Sequence, residues 1–444
     1  MRKRCLIHLI IRGGFFVFLW VSPLFLFSKE PFLLSSEGSG RATAYLESPK
    51  IISFEGKTHV AWLDSPTEGF RIRIRTLDQK TGVWSKTYTV GVAQDNHGGP
   101  ALTIDGEGYL HIVYYSHHHP FRYSRSLRPN DASEWSEFEE FGEDLTYPAL
   151  VCGKDGTLLL TARRSFENKP WELEMWSKST GETWSRQSTL LKSRFDGYAQ
   201  FAASLTWSED HTTLHLGTRI YERPIKEDEW PLTTVGYMKS LDRGKTWIQS
   251  DGTPIDLPAT AETIDSIASG RGVEGRILNA GSIAVGPDGL AYVPYSVRVE
   301  DSSQGYLAYP YGDGKWRHLN LNAFLPSTVR DWALFMHGGV SFGSAGEFVV
   351  AAVVMQVDPD GVDWGEPSSE LVIFRSIDGG LSFQGKVVGS PDSKVPRWMP
   401  NLERATGFNE MPLSPRYLYT NGGRGTTLND VLSNEVWWVP SGGE

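Results

Sequence analysis

One pattern recurs through most of this 444-residue chain: a turn ending in glycine, followed at once by a short strand of alternating apolar and polar residues. It reads FEGKTHVAWL at 54–63, DGEGYLHIVYY at 105–115, KDGTLLLTARR at 154–164 and SEDHTTLHLGTR at 208–219. It returns as GPDGLAYVPYS at 286–296 and GSAGEFVVAAVV at 343–354, and a degenerate last copy joins PRYLYTNG (415–422) to NEVWWVP (434–440). Most intervals are about 50 to 60 residues, close to the length of a propeller blade of four short strands. One interval is longer and holds an insertion, TPIDLPATAETIDSIASGRGVEG, at 253–275. No helical period runs beyond two turns. The expectation is an all-β chain folded as a seven-bladed β-propeller, with six blades as the alternative.

Between these strands lie aspartate turns: SLDRGKTW (240–247), SIDGGLSF (376–383), SKSTGETW (177–184), which lacks the Asp, and the stretched TLDQKTGVW (76–84). Asp accepts backbone N–H groups inside such a turn, Gly takes the left-handed position, and the aromatic packs between sheets. These are read as structural devices.

The first 28 residues carry Arg2, Lys3, Arg4 and Arg12, no acid, and an apolar run from Gly13. They are read as a secretory signal peptide over 1–28, leaving 29–444 as one propeller domain that is secreted or periplasmic, monomeric and free of the membrane after cleavage. Removing those four charges takes the formal net charge from −10 to −14. So acidic a chain lacks the positive face that nucleic acid requires. Any anionic ligand must be held by local arginines. Cys5 falls in the leader, so Cys152 has no partner for an intramolecular disulfide.

Asp95–Phe121 reads DNHGGPALTIDGEGYLHIVYYSHHHPF. His97 precedes one strand and His117 ends the next, and the hairpin turn DGEG brings those two ends to the same rim. His118 and His119 are expected in solvent or packed under Pro120. No carboxylate or cysteine accompanies the histidine run at metal-ligand spacing, so no metal is assigned, no cofactor is expected for catalysis, and a structural divalent cation is left open. One unit further on, TYPALVCGKDGTLLLTARR (146–164) places Tyr147 and Arg163 at the equivalent ends, and RFDGYAQFAASLTWSEDHTTLHLGTR (194–219) does so with Tyr198 and Arg219. Three neighbouring units thus aim His/His, Tyr/Arg and Tyr/Arg at one funnel.

This constellation resembles the BNR-4 type propeller family, which includes secreted ulvan lyases with a seven-bladed fold. The resemblance rests on DNHGGPALTIDGEGYLHIVYYSHHHPFRYSRS, on TYP with Arg163, and on YMKSLDRGKTW followed by DLPAT. It implies an active site of His97, His117, Tyr147 and Arg163, with Arg164 competing for the last role and Tyr198 and Arg219 as substrate-binding residues. The chain departs from the pattern at RRSFENKPWELEMW, charged and aromatic where a Gly-rich loop is usual, and at PRWMPNLERATGF.

The activity implied is β-elimination on an acidic, uronate-containing and sulfated ulvan-like polysaccharide. A guanidinium neutralises the carboxylate beside the acidic C5 proton, and a His or Tyr moves the proton. Which of His97, His117 and Tyr147 is the base stays open. The alternatives are a sialidase-like or other glycoside hydrolase, with FRIRIR (70–75) as its faint signature, and a non-catalytic glycan-binding propeller that stacks sugars on exposed aromatics.

Overall fold

The computed structural model describes residues 30–224, 230–312, 314–357, 364–391 and 394–440. The leader expected at 1–28 lies outside them. Among the described residues no helix is long and apolar enough to cross a membrane. The helical turns among them are two short 3-10 segments, Leu321–Phe324 and Ser327–Val329. The chain is all-β.

Among the described residues the strands form five sheets, of nine, eight, six, five and four strands. Each turn of the sequence pattern closes a hairpin, and in SEDHTT (208–213), which has no glycine, His211 takes the left-handed position at φ +56°. Ile51–Phe54 pairs with Lys57–Asp64, Ala101–Ile104 with Leu110–Tyr114, Glu139–Cys152 with Leu158–Arg164, and Ala199–Trp207 with Leu214–Glu222. Ala284–Val285 pairs likewise with Ala291–Val299, and Ala333–Phe342 with Phe348–Met355. The last unit is built differently. Tyr417–Asn421 and Asn434–Val439 pair as expected, but Arg397–Leu402 precedes them across the long connection 403–416 rather than a tight turn. The strand Phe32–Gly38, which no repeat marks, pairs with Asn434–Val439 and ties the two ends of the fold together.

The aspartate turns behave as their chemistry dictates. Asp242 accepts from Ser240 Oγ and from the Thr246 N–H at 2.8 Å each, and Gly244 sits at φ +85°. Trp247 then folds inward, donating its indole N–H to the Gly244 carbonyl and packing with Met175, Leu214 and Ile255. Burying a ring of that size contributes roughly 2–3 kcal/mol. The insertion is also structural: Ala259 of DLPAT exchanges backbone hydrogen bonds of 2.9 Å with Leu190 and Lys192, joining the six-stranded sheet to the eight-stranded one. Cys152 is a buried free thiol. FRIRIR belongs to an ordinary strand, Arg71–Asp78, with Ile72 and Ile74 buried and Arg73 3.5 Å from Asp64.

Candidate active site

All five sheets, with the loop 41–47, contribute walls to one cavity of about 300 Å³. His97, Tyr147, Tyr198 and Arg219 line it, as do Arg41, Tyr45, Glu47, His337, Trp364 and the run Trp398–Pro400. The departure noted at PRWMPNLERATGF therefore falls on the cavity wall.

The hairpin brings the two histidines together as expected. The His97 and His117 rings stack with centroids 3.8 Å apart. Between them sits Asp95, a carboxylate that the sequence reading passed over. His97 Nδ1 lies 3.2 Å from Asp95 Oδ1, His117 Nδ1 2.6 Å from Oδ2, and the His97 backbone N–H donates to Oδ1 at 2.7 Å. Burial alone would push this carboxyl up, but the hydrogen bonds from His117 and His97 outweigh it and hold it well below the usual carboxylate range. An ionised carboxylate only accepts, so each Nδ1 carries a hydrogen, and the His97 ring, kept neutral by burial, holds its lone pair on Nε2. The Nε2 of His97 meets Arg41 Nη1, which also bonds the Tyr45 hydroxyl.

Tyr147 owes its aim to an irregularity within a strand rather than to a position before one. In Glu139–Cys152 the register jumps between the pairs Thr146↔Arg163 and Ala149↔Thr161, and Tyr147 in that bulge takes φ +61°. A bulge re-aims a side chain at some local cost, and a non-glycine residue in the left-handed region stores about 1–3 kcal/mol. His118 (φ +59°) and Met399 (φ +54°) share that conformation at the same rim. The Tyr147 ring meets Tyr45 edge-on at 4.4 Å.

Strand alternation separates the two adjacent arginines. Arg164 turns away to Glu174 and Glu143, at 3.2 and 3.1 Å, and takes no part in the site. Arg163 faces inward, its guanidinium 4.5 Å from the Tyr147 ring and 4.8 Å from the Trp171 ring. It is only 1% exposed, and its Nε and Nη1 have no hydrogen-bond partner. It thus stands behind Tyr147 rather than on the open wall. Arg219 does reach the cavity, held by Asn279 Oδ1 at 2.8 Å and by Gln200. Tyr198, 43% exposed, packs at a tilt against Trp171 with ring centroids 5.0 Å apart.

His118 corrects an expectation. It does not lie in solvent: its ring sits 4.4 Å from His117 and 5.5 Å from Trp171 and bonds Ser165 Oγ. Its φ of +59° turns the side chain back into the cluster. His119 is exposed. Asp95, Arg41, Tyr45 and Trp364 are cluster residues that sequence reasoning missed. Asp95 was visible in DNHGGP as an Asp two residues before a His; Arg41 and Tyr45 sit in a loop without period or motif.

Asp95, His97 and His117 offer three ligand atoms within 4.8 Å of one another, a count that suits a divalent ion. The donor set does not fit one well. Both Nδ1 atoms are already turned to Asp95, and a guanidinium, itself a permanent cation, occupies His97 Nε2.

Burial sets most of the site's protonation. The His97 imidazole is pushed down to about 3 by burial, helped by Arg41 and opposed by Asp95. His337 and His118 fall to about 4, mainly through burial. The Tyr147 phenol is raised by burial, while Arg163, Arg41 and a hydrogen bond from Tyr45 pull it back. Glu47, buried with Oε1 unpartnered, is raised by burial too. One consequence is measurable. Folded His97 refuses the proton that the unfolded chain takes near pH 6.5, so its share of stability is complete above that pH and is lost as pH falls toward 3. Relative to a His97→Gln variant, the parent should lose about 2 kcal/mol of unfolding free energy between pH 7 and pH 5, as read from urea denaturation.

A family model described as "BNR repeat-containing family member" matches residues 39–323. The chain belongs to this BNR_4 family. Relatives within reach of sequence comparison include an ulvan lyase of Pseudoalteromonas sp. (strain PLSV), 25% identical over 183 residues, and one of Nonlabens ulvanivorans, 26% identical over 184. Each match covers 36% of this chain and 37% or 38% of the relative, so the shared segment is under two fifths of either protein. In three dimensions this BNR_4 chain is similar to a solved PL25 ulvan lyase, with a TM-score of 0.69 at 17% identity, over 92% of this chain and 96% of that one. The same lyase fold has been solved with -[GlcA(1-4)Rha3S]- bound. A second polysaccharide lyase, Uly1, follows at a TM-score of 0.58 and 13% identity.

Proposed function

We propose that this BNR_4 protein is a polysaccharide lyase that cleaves an acidic, uronate-containing glycan by β-elimination. The observation that carries the reading is the convergence of His97, Tyr147 and Arg219 on one cavity, with His117 stacked on His97 and Arg163 directly behind the Tyr147 ring. In the elimination the C5 proton leaves to a protein base, its electron pair forms the C4–C5 double bond, and the C4–O bond breaks with its electrons on oxygen, which takes up a proton. Arg219 is the guanidinium placed to hold the uronate carboxylate and offset its charge, which otherwise opposes carbanion formation. Tyr147 is the proton-transfer group at the wall. His97 is neutral and its Nε2 is already engaged by Arg41, which makes it a support for Arg41 rather than a free base. Arg163 lowers the cost of charge on the Tyr147 oxygen from behind the ring.

We read the five sheets as seven blades. The nine- and eight-stranded sheets each hold two four-stranded units, and the strand Phe32–Gly38 completes the last. The sulfated, ulvan-like character of the glycan rests on the relatives named above. The test is a panel of uronate polysaccharides, sulfated and unsulfated, followed for products that absorb in the ultraviolet through the new double bond. At least one should yield them. Binding without turnover across pH 5 to 9 would instead support a glycan-binding propeller.

A further inference from the structure

Four consecutive backbone carbonyls, those of residues 45–48, are held from behind by buried side chains. Asn401 Nδ2 donates to the Tyr45 carbonyl at 3.1 Å and to the Ser48 carbonyl at 3.0 Å. Arg404 donates to the Leu46 carbonyl at 2.6 Å and to that of Glu47. Lys50 Nζ adds a bond of 3.2 Å to the Ser48 carbonyl and gives another, of 3.0 Å, to Pro100. Asn401, Arg404 and Lys50 are each 2% exposed or less. The loop is therefore fixed and cannot swing to suit its own side chains. Glu47 is one of these. It lines the cavity, is 2% exposed, and its Oε1 takes a hydrogen bond from no group among the described residues. A buried carboxyl oxygen without a donor is costly, and the two cations beside it spend their hydrogens on carbonyls instead.

The surroundings say what would satisfy that oxygen. Lys50 and Arg404 at the loop and Arg219 in the same cavity make this end positive, so a cation is a poor occupant. An anionic group goes to the Arg219 guanidinium. What remains for Oε1 is a neutral O–H donor. Tyr45, Trp364 and Trp398 line the same cavity as an aromatic row, with successive ring centroids 6.4 and 5.0 Å apart. Aromatic rings beside a hydrogen-bonding carboxyl suit a sugar ring, which has apolar C–H faces and a rim of hydroxyls.

We propose that Glu47 is a substrate-binding residue whose Oε1 accepts a hydrogen bond from a hydroxyl of the glycan whose carboxylate Arg219 holds. The proposal rests on the lyase reading for the identity of that glycan, though not for the sugar subsite itself. Asn401 and Arg404 set the oxygen in place before the sugar arrives, which spares the complex the cost of ordering it. Both belong to PRWMPNLERATGF, so that departure from the family pattern bears on the subsite from behind.

Two readouts test this, both in a Tyr147→Phe background that slows any cleavage. The first is calorimetry with uronate oligosaccharides, among them fragments of the -[GlcA(1-4)Rha3S]- repeat bound in the solved lyase. Glu47→Leu should weaken the best-bound oligosaccharide about 5- to 50-fold, and Glu47→Gln, which keeps an acceptor oxygen, should recover part of that loss. The second is the infrared difference between free and bound protein, which does not depend on the leucine variant folding. The carboxyl band identified by its loss in Glu47→Gln should shift when the oligosaccharide binds. With native Tyr147, on a cleaved polysaccharide, Glu47→Gln should raise KM and leave kcat within about threefold, as expected of a contact made equally in ground and transition states. An unmoved band, a folded Glu47→Leu that binds like its parent, or a parent that binds no uronate oligosaccharide overturns the proposal. If binding responds as stated and no unsaturated product forms with native Tyr147, the lyase reading falls and the sugar subsite stands.

Discussion

Replacing Tyr147 with phenylalanine is expected to lower kcat by about a thousandfold or more and to leave KM within about threefold. The substitution removes one oxygen and keeps the rest. The ring still meets Tyr45 edge-on and still covers the Arg163 guanidinium. The left-handed backbone at this position is no harder for phenylalanine than for tyrosine, so stability should change by about 1 kcal/mol or less. A loss confined to kcat is the mark of a group that acts in the transition state rather than in binding. Steady-state kinetics beside a denaturation curve decides it. A variant with near-parental kcat would place proton transfer elsewhere, with His117 as the next group to replace.

Arg163→Met should move activity and stability in opposite directions. The guanidinium is buried, and two of its nitrogens have no hydrogen-bond partner. Contacts with the Tyr147 and Trp171 rings offset only part of the cost of keeping such a charge out of water. Methionine keeps much of the volume and drops the charge. The expected result is a gain of about 1–3 kcal/mol in unfolding free energy with a loss of roughly a hundredfold in kcat. A variant that is both less stable and fully active would show Arg163 to be a packing residue.

The sequence made the repeating part of this architecture legible, because hairpins follow local rules. Each turn from FEGKTHVAWL to GSAGEFVVAAVV closes the hairpin expected of it, since period-two alternation and a left-handed turn residue, glycine in all but SEDHTTLHLGTR, are read from a few adjacent residues. The facing of His97 and His117 followed from the same rule. The inward turn of Arg163 rather than Arg164 needed the strand register, which the sequence left open between the two. What stayed hidden was non-local or irregular. The strand Phe32–Gly38 carries no repeat signal, and only its partner at 434–439 gives it a role. Arg41 and Tyr45 sit in an aperiodic loop and acquire meaning through residues 56 and 102 positions further on. His118 was misjudged because the left-handed backbone that turns it into the cluster belongs to a non-glycine residue, which no turn signal marks. Asp95 lay in plain view, but spacing rules for metal ligands look along the chain, and its partner His117 is brought to it by the fold.

Elimination and hydrolysis differ by one water molecule per bond broken, and mass spectrometry of the digested glycan counts it. If this cavity runs the chemistry assigned to it, each cleavage adds nothing to the summed mass of the fragments, and each new non-reducing end is one water lighter than its saturated counterpart. Fragments that have gained one water at every cleaved bond would contradict the account.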